Sequence, residues 1–370
     1  MTKQSSNRLY SLDALRGFDM FWIAGGAAIF VTLSKNTDSN VIDWIASQTD
    51  HAKWNGFKFY DLIFPLFLFI AGVSFPFSLA SRKAKGHTKK RIYQHIIKRG
   101  IVLVLLGIVY NGILVRDFSD MRFASVLSRI GLAWMFAALI VLNTKVLWQG
   151  VWFMGLLLLY YALMMLVPVP GYGAGVLTVD GSLAAFIDQI IVPGRLYKGT
   201  HDPEGLFSTI PAISTALLGM LTGHLLNLKK KEITQHRKFY IMLGAGTCLI
   251  LLALLWNMSF PINKNLWTSS FVFMTGGISL ILLSVFYLVL DIWKIRWWAY
   301  PFMVIGLNPI TIYLAQAGMI NFRSTSEYFF AHFFESISNN YFEFWMACMY
   351  FAVSWLFLYF LHKQRIYLKV

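Results

Sequence analysis

The chain has 370 residues and a net charge of +15, and it is 57% hydrophobic, 17% aromatic and only 13% charged. A soluble domain is about 25% charged, so this chain cannot cover a water-facing surface; a disordered chain, a collagen repeat, a coiled coil and a disulfide scaffold are excluded as well. Two cysteines, Cys248 and Cys348, supply neither a disulfide framework nor a four-ligand zinc site, and each lies in an apolar run where it reads as a small buried hydrophobe. The composition fits an all-α polytopic membrane protein.

A helix needs roughly 20 apolar residues to cross a bilayer. Ten stretches qualify: 14–33, 58–80, 92–112, 123–142, 146–167, 207–228, 239–257, 267–290, 299–318 and 343–362. Backbone polar groups in lipid must be satisfied internally, and these runs are continuously apolar rather than alternating. About ten transmembrane helices are therefore expected, and an outer-membrane barrel is not. The first run opens on Ser11, Asp13 and Arg16 instead of a short apolar core with a cleavage site, which predicts no cleavable signal peptide. Residues 1–370 read as a single transmembrane domain. Its larger, outer connections are 34–57, 168–206 and 319–342; the inner ones include the basic loops 81–91 and 229–238. Pro168, Pro170, Gly171, Gly173 and Gly175 mark the second outer connection as irregular.

Lys and Arg set the orientation. Nineteen fall on one side, from Lys3 and Arg8 through the clusters at 82–91 and 229–238 to Lys363, Arg365 and Lys369. Nine fall on the other: Lys35, Lys53, Lys58, Arg116, Arg122, Arg195, Lys198, Lys264 and Arg323. Both termini are then cytoplasmic, which requires an even number of spans and agrees with ten. The acids run the other way. The positive charge is a topology signal and not a nucleic-acid footprint, because no water-exposed domain surface is available to carry a basic stripe.

A charge inside a span costs about 2.5–3.5 kcal/mol on insertion scales and is a functional candidate by default. Asp13, Arg16 and Asp19 are spaced by three, so Arg16 can pair with either acid. They read as a self-neutralising helix end or as an anion-binding arginine. Lys98 and Arg99 in the third run and Arg129 in the fourth form, with the 82–91 cluster, a cationic funnel open to the cytoplasm. A phosphate-bearing ligand suits it, because Arg grips phosphate in a bidentate fork; snorkelling accounts equally for Lys98. Among eight histidines, His51 and His201 each lie in a dense polar cluster just outside an apolar run. A histidine beside a carboxylate makes a suitable general base. No histidine pair has helix-borne zinc spacing, so no metal is expected, and no Walker motif, glycine-rich nucleotide loop or Gly-x-Ser-x-Gly elbow supports an ATPase or hydrolase.

The string Ser11-Leu12-Asp13-Ala14-Leu15-Arg16-Gly17 resembles the opening motif of membrane-embedded acyltransferases. His51-Ala52-Lys53-Trp54-Asn55-Gly56 followed by Asp61-Leu62-Ile63-Phe64-Pro65 is similar to the heparan-α-glucosaminide N-acetyltransferase family. Three more matches follow in order: His201-Asp202-Pro203-Glu204-Gly205-Leu206, then Pro261-Ile262-Asn263-Lys264-Asn265-Leu266-Trp267-Thr268, then Gly306-Leu307-Asn308-Pro309. The resemblance covers about residues 8–318, and the ordered set is specific where one motif alone is not. It implies transfer of an acetyl group from cytosolic acetyl-CoA to the amine of a glucosamine-type sugar on the periplasmic side, without a metal. It also implies an active site toward the outer face, a homodimer and, for a compact bacterial form, the inner membrane. The chain departs from the animal member at Ala24-Gly25-Gly26-Ala27, where that protein has an asparagine whose role would pass to Asn55 or Asn263.

On this resemblance His51 is the general base or an acetyl carrier, and Asp61 orients its imidazole. Asn55, Asn263 or Lys264 donates to the oxyanion, a contact commonly worth about 2.7–4 kcal/mol. Arg16, Lys98, Arg99 and Arg129 hold the CoA phosphates. His201, Asp202, Glu204, Asn263, Lys264, Trp267 and Asn308 face the acceptor. Plainer readings stand beside these: a turn at Asp202-Pro203-Glu204, carbonyl satisfaction by Asn308 ahead of Pro309, interfacial anchoring by Lys264, and an aromatic belt for Trp54 and Trp267. The competing function is a transporter or flippase for an anionic solute, which the embedded arginines suit and the lack of an evident internal repeat counts against. An O-acyltransferase acting on envelope glycans is a further alternative.

Overall fold

A computed structural model describes residues 9–112, 120–229, 231–337 and 340–368. Of the basic residues used for orientation, Lys3, Arg8, Arg116, Lys230 and Lys369 lie outside the described residues. In chain order the helices are α1 Tyr10–Ser34, α2 Asn40–Gln48, α3 Phe59–Ala84, α4 Lys89–Tyr110, α5 Val126–Asn143, α6 Val146–Leu166 and α7 Leu183–Ile191. They continue with α8 Thr209–Asn227, α9 Gln235–Trp256, α10 Ser269–Ile292, α11 Tyr300–Gly306, α12 Pro309–Leu314, α13 Phe322–Ile337 and α14 Phe342–Lys363. Among the described residues nine of these are long and apolar enough to cross a membrane, and the remaining pairing is limited to two isolated β-bridges, Arg122 with Gly194 and Val169 with Gly173. The protein is an all-α multi-pass membrane protein.

The expected tenth span, 299–318, is not one helix. It breaks at Leu307-Asn308, where α11 stops and α12 starts with Pro309 in its first turn. Proline has no N–H to give and crowds the turn before it, so it suits a helix start better than a helix interior. The connections 34–57, 168–206 and 319–342 contain α2, α7 and α13, and the second carries no helix over 168–182, where its Pro and Gly residues lie.

Helix α3 is the centre of the bundle, 78% buried, and its apolar residues run all round the helix. It meets α8 with little space between the backbones: a Cβ on Gly219 would lie 2.1 Å from the Phe69 carbonyl oxygen. Small residues at such contacts are how helices associate where lipid supplies no hydrophobic drive. Helices α9 and α14, 17% and 11% buried, lie at the periphery. Cys248 on α9 is exposed there, which corrects the expectation of a buried thiol; in a bilayer the outward face is as apolar as the core.

Helix α1 begins with a carboxylate at its N-terminus: Asp291 accepts from the backbone N–H groups of Tyr10 and Ser11, both at 3.1 Å. These are donors that the helix itself leaves unpaired. Further along, α1 packs backbone to backbone on α11. A Cβ on Gly17 would lie 1.6 Å from the Phe302 carbonyl oxygen, and one on Gly306 2.1 Å from that of Asp13. Gly17→Ala is therefore expected to overpack the pair and cost about 1–3 kcal/mol. The thermal midpoint of the detergent-purified protein should fall, and an unchanged midpoint would show that the two backbones are free to separate.

The helices alternate in direction. The start of α3, the end of α4, the 167–208 connection and the 257–268 connection consequently gather at one end of the bundle, and Arg16 and Arg99 lie deeper.

Candidate active site

His51 lies in the extended segment between α2 and α3, and Asp61 lies in the first turn of α3. The Asp61 carboxylate is 1% exposed. One oxygen accepts from the backbone N–H groups of Ala52 at 3.2 Å and Lys58 at 3.0 Å; the other pairs with His51 Nδ1 at 2.8 Å. A carboxylate so held fixes the imidazole tautomer with its proton on Nδ1 and leaves the Nε2 lone pair available. The His51 side chain is 48% exposed and its ring lies against Tyr60, 5.0 Å between centroids.

Lys264 completes the cluster from the connection between α9 and α10. Its Nζ is 3.0 Å from His51 Nδ1, 3.1 Å from His51 Nε2 and 3.5 Å from Asp61 Oδ1. Burial pushes the Lys264 ammonium down, against the attraction of Asp61 and Glu204. The loop that carries it is pinned from both sides. Asn263 Nδ2 donates to Asn55 Oδ1 at 3.0 Å, Asn263 Oδ1 accepts from the Leu266 N–H at 2.9 Å, and the Gly56 N–H reaches the Ile262 carbonyl at 2.8 Å. Asn55 and Asn263 are thus spent on joining two loops, and neither lines the cavity beside His51. Of the three groups expected to donate to the oxyanion, only Lys264 lines the cavity.

A second cluster lies across the same cavity. Arg122 Nε and Nη2 grip Asp202 at 2.7 and 2.6 Å, and Nη2 also reaches Glu204. Asp202 accepts in addition from the N–H groups of Tyr197 and Glu204, at 3.0 and 2.9 Å. Burial would raise the Asp202 carboxyl, but Arg122 outweighs it and holds it below the usual carboxylate range. Burial would likewise lower the Arg122 guanidinium, which Asp202 and Glu204 instead push up. Both Asp202 oxygens are thus engaged in anchoring the loop, and Glu204 alone of the pair lines the cavity.

Several expected site residues lie elsewhere. His201 is buried edge-on to Trp54, 5.3 Å between centroids, and neither ring nitrogen has a hydrogen-bond partner among the described residues. Burial, then Lys198, pushes its imidazole down against Asp202 and Asp180. The sign follows: the folded state holds His201 neutral, so stability is full above the ordinary value of about 6.5 and is lost as pH falls below it. The thermal midpoint should decline from about pH 6.5 toward 5, and His201→Phe should flatten that decline; an identical slope in the variant would assign it to other groups.

Trp267 is buried with φ 51°, donates to Thr215 Oγ1 at 3.3 Å and packs edge-on to Phe64 and Phe271, so it is wedged in the bundle and lines none of the three cavities described below. Arg129 is buried below Trp267 and donates to the Gly205 carbonyl at 2.8 Å and to Ser208. It fastens the start of α8 and does not join Arg16 and Arg99. Lys98 is exposed on the outward side of α4. Asn308 clamps the segment after α14: its Nδ2 donates to the Ile366 carbonyl at 2.9 Å and its Oδ1 accepts from the Leu368 N–H at 3.2 Å.

Arg16 and Arg99 remain together. Arg16 pairs with Asp13 at 3.5 Å and donates to Ser74 Oγ at 2.9 Å, while Asp19, the other candidate partner, is buried with no hydrogen bond to either oxygen. The Arg99 guanidinium stacks on Trp134 at 4.3 Å with its Nε unpartnered.

These groups line three neighbouring cavities. The outermost, about 570 Å³, is lined by His51, Asp61, Arg122, Lys198, Glu204 and Lys264. It shares His51, Glu204, Lys264, Tyr110 and Tyr313 with a second of about 350 Å³. The second shares Phe67, Ile130, Pro309 and Ile310 with a third of about 210 Å³, lined by Arg16, Ser74, Arg99 and Trp134. Among the described residues no group of three or more His, Cys, Asp or Glu could hold a metal ion.

Sequence reasoning did not single out Arg122, Tyr110 or Tyr313. Arg122 carried only a topology signal. Tyr110 and Tyr313, stacked at 4.7 Å where the two outer cavities join, look like any of the many aromatics in this chain.

A multi-pass helical membrane protein with a His–Asp–Lys cluster on a cavity, and two arginines on another further in, is the class that fold and site define. No family model matches the chain. It is 26% identical over 377 residues, 86% of this chain, to the heparan-alpha-glucosaminide N-acetyltransferase of Mus musculus, and 28% identical over 329 residues, 74% of this chain, to that of Homo sapiens. These matches over most of the chain support its membership in the heparan-alpha-glucosaminide N-acetyltransferase family. The chain spans about half the length of these curated relatives, 55% and 49%.

Proposed function

We propose that this protein is a transmembrane N-acetyltransferase that takes the acetyl group of acetyl-CoA and passes it to the amine of a glucosamine-type sugar. The observation that carries the proposal is the run of contiguous cavities from the His51–Asp61–Lys264 cluster to Arg16 and Arg99. By the positive-inside rule the arginine end is cytoplasmic and the His51 end periplasmic, in a bacterial inner membrane. The residues at the inner end fit the cosubstrate: two guanidiniums for its phosphates, one with an unpartnered Nε and a stacked tryptophan behind it. Acetyl-CoA supplies an acetyl group activated as a thioester.

At the outer end His51 Nε2 takes the proton from the acceptor amine. Asp61 holds the ring and stabilises its charged form. Lys264 donates to the oxygen on which negative charge develops, and Glu204 faces the acceptor. Acetyl-CoA and purified protein, incubated with glucosamine, should yield N-acetylglucosamine and free CoA thiol. Acetyl-CoA binding without product would overturn the acceptor, and no binding together with solute flux in proteoliposomes would favour a transporter instead.

A further inference from the structure

The primary amine nearest to His51 belongs to the protein itself. An acceptor can give its proton to His51 only if its nitrogen lies within hydrogen-bond reach of Nε2, and Lys264 Nζ lies within that reach, 3.1 Å from Nε2 and 3.0 Å from Nδ1. It lines both of the outer cavities. Its loop cannot easily withdraw, being tied to the His51 segment by the Asn263–Asn55 and Gly56–Ile262 hydrogen bonds.

An ion pair with Asp61 does not account for this placement. The Asp61 carboxylate already accepts from His51 and from two backbone N–H groups, and Lys264 approaches the imidazole more closely than the carboxylate, 3.0 and 3.1 Å against 3.5 Å. Only 17% of the Lys264 side chain is exposed, and burial favours its uncharged, nucleophilic form.

We infer that Lys264 is a self-acetylation site: with acetyl donor bound and no acceptor present, the enzyme transfers the acetyl group to its own Nζ. This rests on the proposed acetyltransferase activity. In the step, neutral Nζ attacks the acetyl carbonyl carbon, the N–C bond forms and the C–S bond breaks. His51 removes a proton from Nζ and returns it to the departing sulfur. The products are Nε-acetyl-Lys264 and the free thiol of CoA, with no other reactant consumed. The modification replaces an amine beside Asp61 and Glu204 with a non-basic amide and fills the acceptor position, so it shuts down an enzyme that is charged with donor but starved of sugar. A bound acceptor amine displaces Lys264 and protects it.

The test is to incubate the full-length protein in detergent with acetyl-CoA, with and without glucosamine, and to measure thiol release and acetylation by peptide mass spectrometry. The exposed Lys53 and Lys145, which line none of the three cavities, serve as internal controls for chemical acetylation. The expected result is acetyl on Lys264 well ahead of both controls, suppressed by glucosamine, abolished in Lys264→Arg, and lowered about 10²-fold in His51→Ala, the scale of a general base. N-Acetylglucosamine formed from added sugar while Lys264 stays unmodified without it would overturn the inference and leave the activity standing. Acetyl found on His51 instead, or on Lys264 only at the pace of the controls or equally in His51→Ala, would also overturn it. Neither product nor thiol release under either condition would overturn the acetyltransferase reading underneath. Size-exclusion profiles matching the wild type establish that the variants are folded.

Discussion

His51→Ala is expected to lower acetyl transfer about 10²–10⁴-fold, the range that general acid–base catalysis contributes. Acetyl-CoA binding should survive, because Arg16 and Arg99 sit in a separate cavity from His51. Radiometric transfer to glucosamine and equilibrium binding of labelled acetyl-CoA, measured on the same preparation, separate the two effects. Asp61→Asn should fall with it at nearly full binding: the amide cannot keep the proton on Nδ1 and the lone pair on Nε2, and it leaves the N–H groups of Ala52 and Lys58 with a weaker acceptor. Near-wild-type turnover in His51→Ala would remove the histidine from the chemistry and leave Lys264 and Glu204 as the remaining groups in place.

Arg122→Ala should have the largest effect on stability. Its removal strands Asp202, whose side chain is 0% exposed, and breaking a buried pair by removing one partner costs about 3–5 kcal/mol. The loss is concentrated at the His51 end of the bundle. Asp202 fastens the Tyr197 and Glu204 backbones, and Arg195, beside Gly194, reaches the Met121 carbonyl at 3.1 Å. A lower thermal midpoint together with early proteolysis in the 195–205 segment is the expected outcome. Arg122→Lys should rescue little, because a single ammonium cannot make the two parallel bonds that hold Asp202. A midpoint equal to the wild type in Arg122→Ala would mean that the stranded carboxylate finds water.

Much of the fold is legible locally. Length and continuity of the apolar runs fix nine of the crossing helices, because lipid leaves the backbone no partner except its own helix. The expected tenth is interrupted at Leu307-Asn308, ahead of Pro309, for an equally local reason, because proline suits a helix start and not a helix interior. The His51–Asp61 pair is close to legible too, since ten residues in one polar segment ahead of a helix leave few places for either side chain.

The rest depended on partners that chain position does not reveal. Arg122 meets Asp202 across 80 residues, and Asn263 meets Asn55 across 208. A polar side chain is available for chemistry only if the fold has not already satisfied it. The sequence by itself determined that this is a helical membrane protein with His51 near a carboxylate. The tertiary structure decided that Asp202, Asn263, Asn308, Trp267, His201 and Arg129 are committed to the scaffold, while Lys264 and Glu204 face the cavity. The physical reason is that burying apolar length is a local property, whereas the pairing of buried polar groups is settled only when distant segments come together.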